Sequence, residues 1–321
     1  MFSAQYLNGL AAKTGFPAVG LQRQMTLLLV LREVHRHPVL CRAYALRGGT
    51  AINLFWFDIP RLSVDIDLNY IGSTDREEMR LDRPGLESQL ARLLEALAIS
   101  VERRPEDHAG GKWRLRAASG LGGSFTLAVD LNYLMRIPLF GTSERVAVSP
   151  DPDFATGFPV VSLEELYAGK LKALMERSAA RDLYDAFRLA SERRQNDQTK
   201  LRKALILFGM TAERDWRTLD RSSIESIDQE MIDRELSPLL RSGEAPDLGR
   251  MKNGVNTFLD ELLRYDASEQ RFMDAFLDQG LYHPEWLFGE EQGRILRSHP
   301  AVLWRLQSLR RSKGLDTEFT D

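Results

Sequence analysis

LRGGTAINLFWFDIPRLSVDIDLNYIG, residues 46–72, joins a glycine pair to two aspartates one residue apart. Tyr44 to Leu46 reads as a short strand running into Gly48 and Gly49, and Thr50 to Phe57 resumes in a helix-compatible pattern. From Leu62 to Ile71 the chain alternates as a strand does. Ser63, Asp65, Asp67 and Asn69 lie on one face and Leu62, Val64, Ile66 and Leu68 on the other. Two carboxylates at i and i+2 have Cα atoms about 6–7 Å apart, and their repulsion needs a compensating charge. A divalent cation supplies it, Mg²⁺ in particular being held by one or two carboxylates plus substrate phosphates. Two metals at such a site activate an attacking hydroxyl and stabilise a leaving pyrophosphate. The glycine pair fits that chemistry: without a Cβ, backbone N–H groups approach a phosphate closely, and the following helix directs its dipole at the anion. Thr50 adds a hydroxyl.

Each piece has a plainer alternative. A glycine pair alone is a tight turn, and an alternating acidic strand alone is a solvated face. The ordered series of strand, glycine pair, helix and acidic strand is more specific than its parts. Asp130 is a third candidate, in the run FTLAVDL, where Phe125, Leu127 and Val129 alternate against Thr126, Ala128 and Asp130. An adjacent strand would bring it beside Asp65 and Asp67; otherwise it is an ordinary strand-end aspartate.

The whole chain sets the bounds. Its 321 residues, 43% hydrophobic and 28% charged, are an ordinary globular composition and suit two domains. A net charge of -3 excludes wholesale electrostatic attraction to nucleic acid. Cys41 is the only cysteine, which excludes an intrachain disulfide and a thiolate metal cluster and suits a cytoplasmic protein. The longest apolar run, TLLLVL at 26–31, is too short to span a bilayer, so no membrane association is expected.

The spacing predicts a helix from about Leu21 to His35, another over Glu87 to Ala98, and strands near Trp113–Ala117, Ser124–Tyr133 and Arg145–Val148. After SPDPDFATGFP, 149–159, helical signals take over. We therefore expect an α+β domain over 1–160 and a helical domain over 161–321. In the second, Ser162 and Glu165 form a capping-box pattern. Leu163, Leu166, Tyr167, Lys170, Leu171 and Leu174 follow one helical stripe. Lys170 thus sits on a face that should be buried, where it either snorkels to water or faces a cleft and neutralises phosphate. Asp182 and Asp185 share a face of the next helix; as a surface feature, Arg181 and Asp185 would form an i, i+4 pair worth about 0.3–0.5 kcal/mol.

GGTAINL at 48–54, RLSVDIDL at 61–68 and KLKALMERSAARDLYDAF at 170–187 resemble the AbiEii/AbiGii toxin family of nucleotidyltransferases, which includes the MenT toxins. The resemblance runs from about residue 40 to 190. It implies a polymerase β-like nucleotidyltransferase core, a mixed sheet flanked by helices, with the helical C-terminal domain completing the cleft. It carries metal binding to Asp65, Asp67 and Asp130, and nucleotide contact to Gly48, Gly49, Thr50, Ser63, Lys170 and Arg181. Catalytic roles go to Asp65, Asp67, Asp130 and Lys170 and to Asp182 and Asp185, without deciding which of the last two acts. Val64 departs from the family by replacing the acidic residue often found before the first metal aspartate.

The implied activity is Mg²⁺-dependent transfer of NMP from an NTP to an acceptor, two ions being expected and Mn²⁺ an alternative. The implied acceptor is a tRNA 3′ end, within a toxin–antitoxin or phage-defence system whose cognate antitoxin is a protein or RNA. Two rivals remain: modification of a small molecule or protein, and an inactive partner-binding module. Basic clusters at Arg193, Arg194, Lys200, Arg202 and Lys203, and at Arg305, Arg310, Arg311 and Lys313 beside Trp304, would suit RNA if they are not simply solvated faces. His35, His37, His108, His283 and His299 lack metal-ligand spacing.

Overall fold

Alternation at 65–70, 110–118 and 124–132 builds the centre of a seven-stranded mixed sheet in the computed structural model, which describes residues 2–105, 109–192 and 197–315. His108, Arg193 and Arg194 lie outside the described residues. The strands are β1 (Tyr44–Arg47), β2 (Asp65–Tyr70), β3 (Ile99–Arg103), β4 (Gly110–Ala118), β5 (Ser124–Asn132), β6 (Thr142–Val146) and β7 (Gly157–Val161). Their order is β3-β4-β5-β2-β1-β7-β6, with β2–β5 and β1–β7 parallel and the other pairs antiparallel. Helices flank this sheet.

Two features depart from the local pattern. β2 begins at Asp65 rather than Leu62, because the preceding backbone bonds elsewhere: Leu62 donates to the Leu239 carbonyl at 2.8 Å and Ser63 to Gln24 Oε1 at 2.8 Å. β7 lies across the end of SPDPDFATGFP and the expected domain boundary, where no strand is predicted. Gly157 and Pro159 are poor strand formers, yet β7 lies between β1 and β6, with Val160 opposite Leu46 and Pro159 opposite Glu144.

The apolar face of the central strands is covered by helix Arg76–Ala96, which starts well before Glu87 because Asp75 caps it by accepting from the Glu77 and Glu78 N–H groups. Tyr44, Tyr70 and Tyr133 are buried on this face. Tyr44 and Tyr133 hydroxyls lie 3.3 Å apart, Tyr133 donates to Glu87 at 3.2 Å, and Glu87 also takes Arg83 at 2.6 Å and Arg104 at 3.0 Å. A buried carboxylate is thereby hydrogen-bonded and neutralised rather than left unpaired.

The chain divides into two compact units, Met1–Leu166 with Ile232–Pro246, and Tyr167–Met231 with Asp247–Asp321. The first contains the sheet. The second is helical among its described residues. There, helix Gln198–Gly209 is buried along Leu201 and Ala204–Gly209, helix Ala267–Gln279 opens on an Asp266–Glu269 capping box, and Arg202 bridges to Glu269 at 2.8 Å. Among the described residues no helix is long and apolar enough to cross a membrane.

Candidate active site

Register across the sheet assembles the charged face. Arg47 on β1 is opposite Asp67 on β2, Asp67 is opposite Asp130 on β5, and Asp130 is opposite Lys112 on β4. Four charged residues thus form one row across four strands. Asp67 and Asp130 have Cα atoms about 4.8 Å apart, as adjacent strands require, and Asp65 follows two residues from Asp67 on the same face.

The cations at the two ends of the row each reach over one intervening strand. Arg47 Nη2 lies 3.0 Å from Asp130 Oδ2, passing β2, and Lys112 Nζ lies 3.3 Å from Asp65 Oδ2, passing β5. The residue of β5 opposite Asp65 is Ala128, whose small side chain leaves that path open. Sequence reasoning missed both cations. Lys112 carried a signal, since Lys112, Arg114 and Arg116 alternate with the buried Trp113, Leu115 and Ala117. Arg47 abuts the glycine pair, but nothing local says which carboxylate it meets.

Gly48 fits this face closely. Its φ is +74°, and a Cβ there would lie 2.0 Å from Asp67 Oδ2. Only glycine lets the backbone pass the Asp67 carboxylate in this conformation. Gly48 and Gly49 begin helix Gly48–Ala51, which continues as a π-helical turn over Ile52–Trp56. Thr50 and Ser63 are both buried. The Thr50 hydroxyl lies 2.8 Å from Ser63 Oγ and also bonds the Asp65 carbonyl, pinning the helix to the start of β2. Gln24, another residue missed in the sequence, holds the Ser63 N–H from the buried face of helix Ala18–Arg36.

Glu165 departs from its sequence role. Ser162 Oγ does accept from the Glu165 N–H, at 3.2 Å, but the Glu165 carboxyl is buried and accepts the Leu139 N–H at 2.8 Å and that of Phe140. Burial pushes its pKa up to about 8, against the pull of those N–H groups and of Arg47. Folded Glu165 therefore keeps its proton to about pH 8, where an unfolded carboxyl loses it near 4.5. Its contribution to stability is full below about pH 4.5 and falls as pH rises toward 8. Urea unfolding between pH 5 and pH 8 should show that decline, and Glu165→Gln should flatten it. An identical slope in both proteins would remove Glu165 as its cause.

The helical unit holds the second motif. Lys170 Nζ lies 2.8 Å from Asp182 Oδ1 and 3.1 Å from Asp185 Oδ2, both carboxylates being buried. Arg177 adds 2.8 Å and 3.0 Å bonds to Asp182 Oδ2. Burial opposes ionisation of Asp182, but the Lys170 and Arg177 charges and hydrogen bonds prevail and hold its pKa at about 2. Lys170 neither snorkels alone nor stands apart from its motif: it is the centre of a charge network. Arg181 is half-buried on the same helix, Ala180–Ser191.

The donor set of Asp65, Asp67 and Asp130 is all carboxylate oxygen, which suits a hard divalent cation. Among the described residues no group of three or more His, Cys, Asp or Glu side chains is gathered to hold a metal. The outer carboxylates here are turned to Arg47 and Lys112. Of the basic clusters, Arg202 is bridged to Glu269, Arg305 donates to the Glu213 carbonyl and Arg310 to the Gly280 carbonyl, whereas Trp304 is 62% exposed.

The family described as "Nucleotidyl transferase AbiEii toxin, Type IV TA system" matches residues 30–278. No curated protein sequence matches. Among solved structures, the nucleotidyltransferase toxin MenT4 from Mycobacterium tuberculosis H37Rv is similar with a TM-score of 0.66 at 18% identity, over 96% of this chain and 99% of that one. At that identity the likeness is one of fold.

Proposed function

Because the chain belongs to the AbiEii family, nucleotidyltransferase toxins of type IV toxin–antitoxin systems, we propose that the charged row on the sheet transfers a nucleoside monophosphate from an NTP to an acceptor hydroxyl. The observation that carries this is the register placing Asp67 beside Asp130, with Gly48 passing directly against the Asp67 carboxylate. In this reading Asp65, Asp67 and Asp130 would hold Mg²⁺, or Mn²⁺ in its place. When bound, the ions lower the pKa of the attacking hydroxyl and stabilise the leaving pyrophosphate.

The chain's own residues do the rest. Gly48 and Gly49 admit the phosphates, and the short helix they begin presents backbone N–H groups to them. The Thr50–Ser63 hydroxyl pair contributes by fixing that helix against β2. The acceptor oxygen forms a bond to the α-phosphorus as the bond to the β-phosphate oxygen breaks. Asp130 takes the acceptor's proton, and the electron pair leaves with pyrophosphate. In the helical unit, Asp182 and Asp185 hold the Lys170 ammonium in a fixed position. The acceptor we propose is a tRNA 3′ end in the cytoplasm, with a cognate antitoxin preventing growth arrest.

The test is incubation of the purified protein with Mg²⁺, each labelled NTP in turn, and total tRNA. Label is expected on tRNA with at least one nucleotide, removable by 3′-exonuclease digestion. Label confined to a protein or small molecule would reassign the acceptor. No transfer to any acceptor would favour a partner-binding module and overturn the reaction proposed.

A further inference from the structure

We propose that Lys112 is an exchangeable counter-ion, holding Asp65 until a divalent cation takes that carboxylate and then binding the phosphates of the incoming nucleotide. This rests on the nucleotidyl-transfer reading above and adds to it a residue outside the three motifs of the family resemblance.

The two ends of the row differ in how firmly their cations are held. Arg47 is 28% exposed, meets Asp130 at 3.0 Å through a planar guanidinium, and sits at the backbone junction of β1 and the Gly48 helix. It is built in. Lys112 is 60% exposed, reaches Asp65 Oδ2 at 3.3 Å, and does so at the end of a flexible four-carbon stem. Exposed pairs of this kind contribute little to stability, so exchange is cheap. A divalent ion at Asp65 presents twice the charge at the same oxygen and displaces the ammonium.

The displaced ammonium has a defined surrounding. Its backbone is fixed opposite Asp130 by the β4–β5 register, so the side chain remains over the charged row after losing Asp65. Arg114 and Arg116, next on the same face of β4, are paired with Glu102 and discourage a swing along the strand. Asp130, opposite Lys112, is already paired with Arg47, so a polyanion seated on the bound cation offers the ammonium a new partner of opposite sign. The proposal accounts for a lysine that crosses a strand to reach a carboxylate while remaining largely in water.

The experiment measures Mn²⁺ binding without nucleotide, by the loss of the free-ion electron paramagnetic resonance signal, in wild type, Lys112→Gln, Lys112→Arg and Asp65→Asn. Steady-state NTP kinetics follow for wild type and the two Lys112 variants. Removing the competing ammonium should tighten Mn²⁺ binding about two- to fivefold in Lys112→Gln, the range expected for an exposed ion pair. The same variant should raise KM for NTP more than it lowers kcat, with Lys112→Arg recovering most of the KM. Equal Mn²⁺ affinity in wild type and Lys112→Gln, with loss in Asp65→Asn, would overturn the exchange and leave the metal reading standing. Tighter Mn²⁺ binding without any change in KM would overturn the phosphate role. No Mn²⁺ binding by wild type would overturn both this inference and the reading beneath it.

Discussion

Asp67→Asn should cut nucleotidyl transfer by at least about 100-fold while leaving the fold intact. Asp67 is central in the row, flanked by Arg47 on β1 and Asp130 on β5, and its backbone pairing is unaffected by the amide. The change removes one negative charge where the proposed reaction needs an anionic oxygen ligand, and interactions aimed at the reacting phosphate are worth about 10²–10³ in rate. Gly48→Ala approaches the same point from the backbone. The new methyl would lie 2.0 Å from Asp67 Oδ2, so the carboxylate must turn away, and the positive φ of 74° costs an L-residue about 1–2 kcal/mol. We expect a 10- to 100-fold loss of transfer, roughly that of disturbing a ligand's support, with a smaller loss of stability. Label transfer under saturating NTP, beside circular dichroism of each variant, checks both. A folded Gly48→Ala protein with wild-type transfer would show that the position of the Asp67 carboxylate is immaterial.

The second large effect is on stability. Lys170→Met removes the one ammonium shared by Asp182 and Asp185, whose side chains are 2% and 1% exposed. Asp182 keeps Arg177, but two buried carboxylates on one helix then lose their common counter-charge. Breaking a buried pair from one side costs about 3–5 kcal/mol, because the remaining charge loses a close counter-charge in a poorly solvated place. The helical unit should lose about that much in denaturant unfolding, and Lys170→Met combined with Asp182→Asn and Asp185→Asn should regain most of it. A loss below about 1 kcal/mol would mean that these charges behave as solvated ones. Asp182 also sets an acid limit. Its pKa is held near 2, below the usual 3.8, so the stability it brings is present above about pH 4 and lost as pH falls through 2.

Much of this was legible in short stretches. The period-two alternation around Asp65 and Asp67, the glycine pair and the stripe carrying Lys170 are all encoded within a turn or a few strand residues, where side-chain direction follows from backbone periodicity. The same local reading failed at β7, where Gly157 and Pro159 give no strand signal and the pairing of Val160 with Leu46 supplies the stabilisation. It also missed the return of Ile232–Pro246 to the sheet-bearing unit, whose Leu239 carbonyl takes the Leu62 N–H.

The chain's periodicity settled which carboxylates share a face and that their repulsion had to be answered. Strand order and register determined what answers it: Arg47 from one side and Lys112 from the other, each 3.0–3.3 Å from its carboxylate across an intervening strand. Arg47 and Asp130 are 83 residues apart, and Lys112 and Asp65 are 47 apart. No local pattern carries such a pairing, because it depends on which strands become neighbours and in what register, and that is set by burial and backbone hydrogen bonding over the whole sheet.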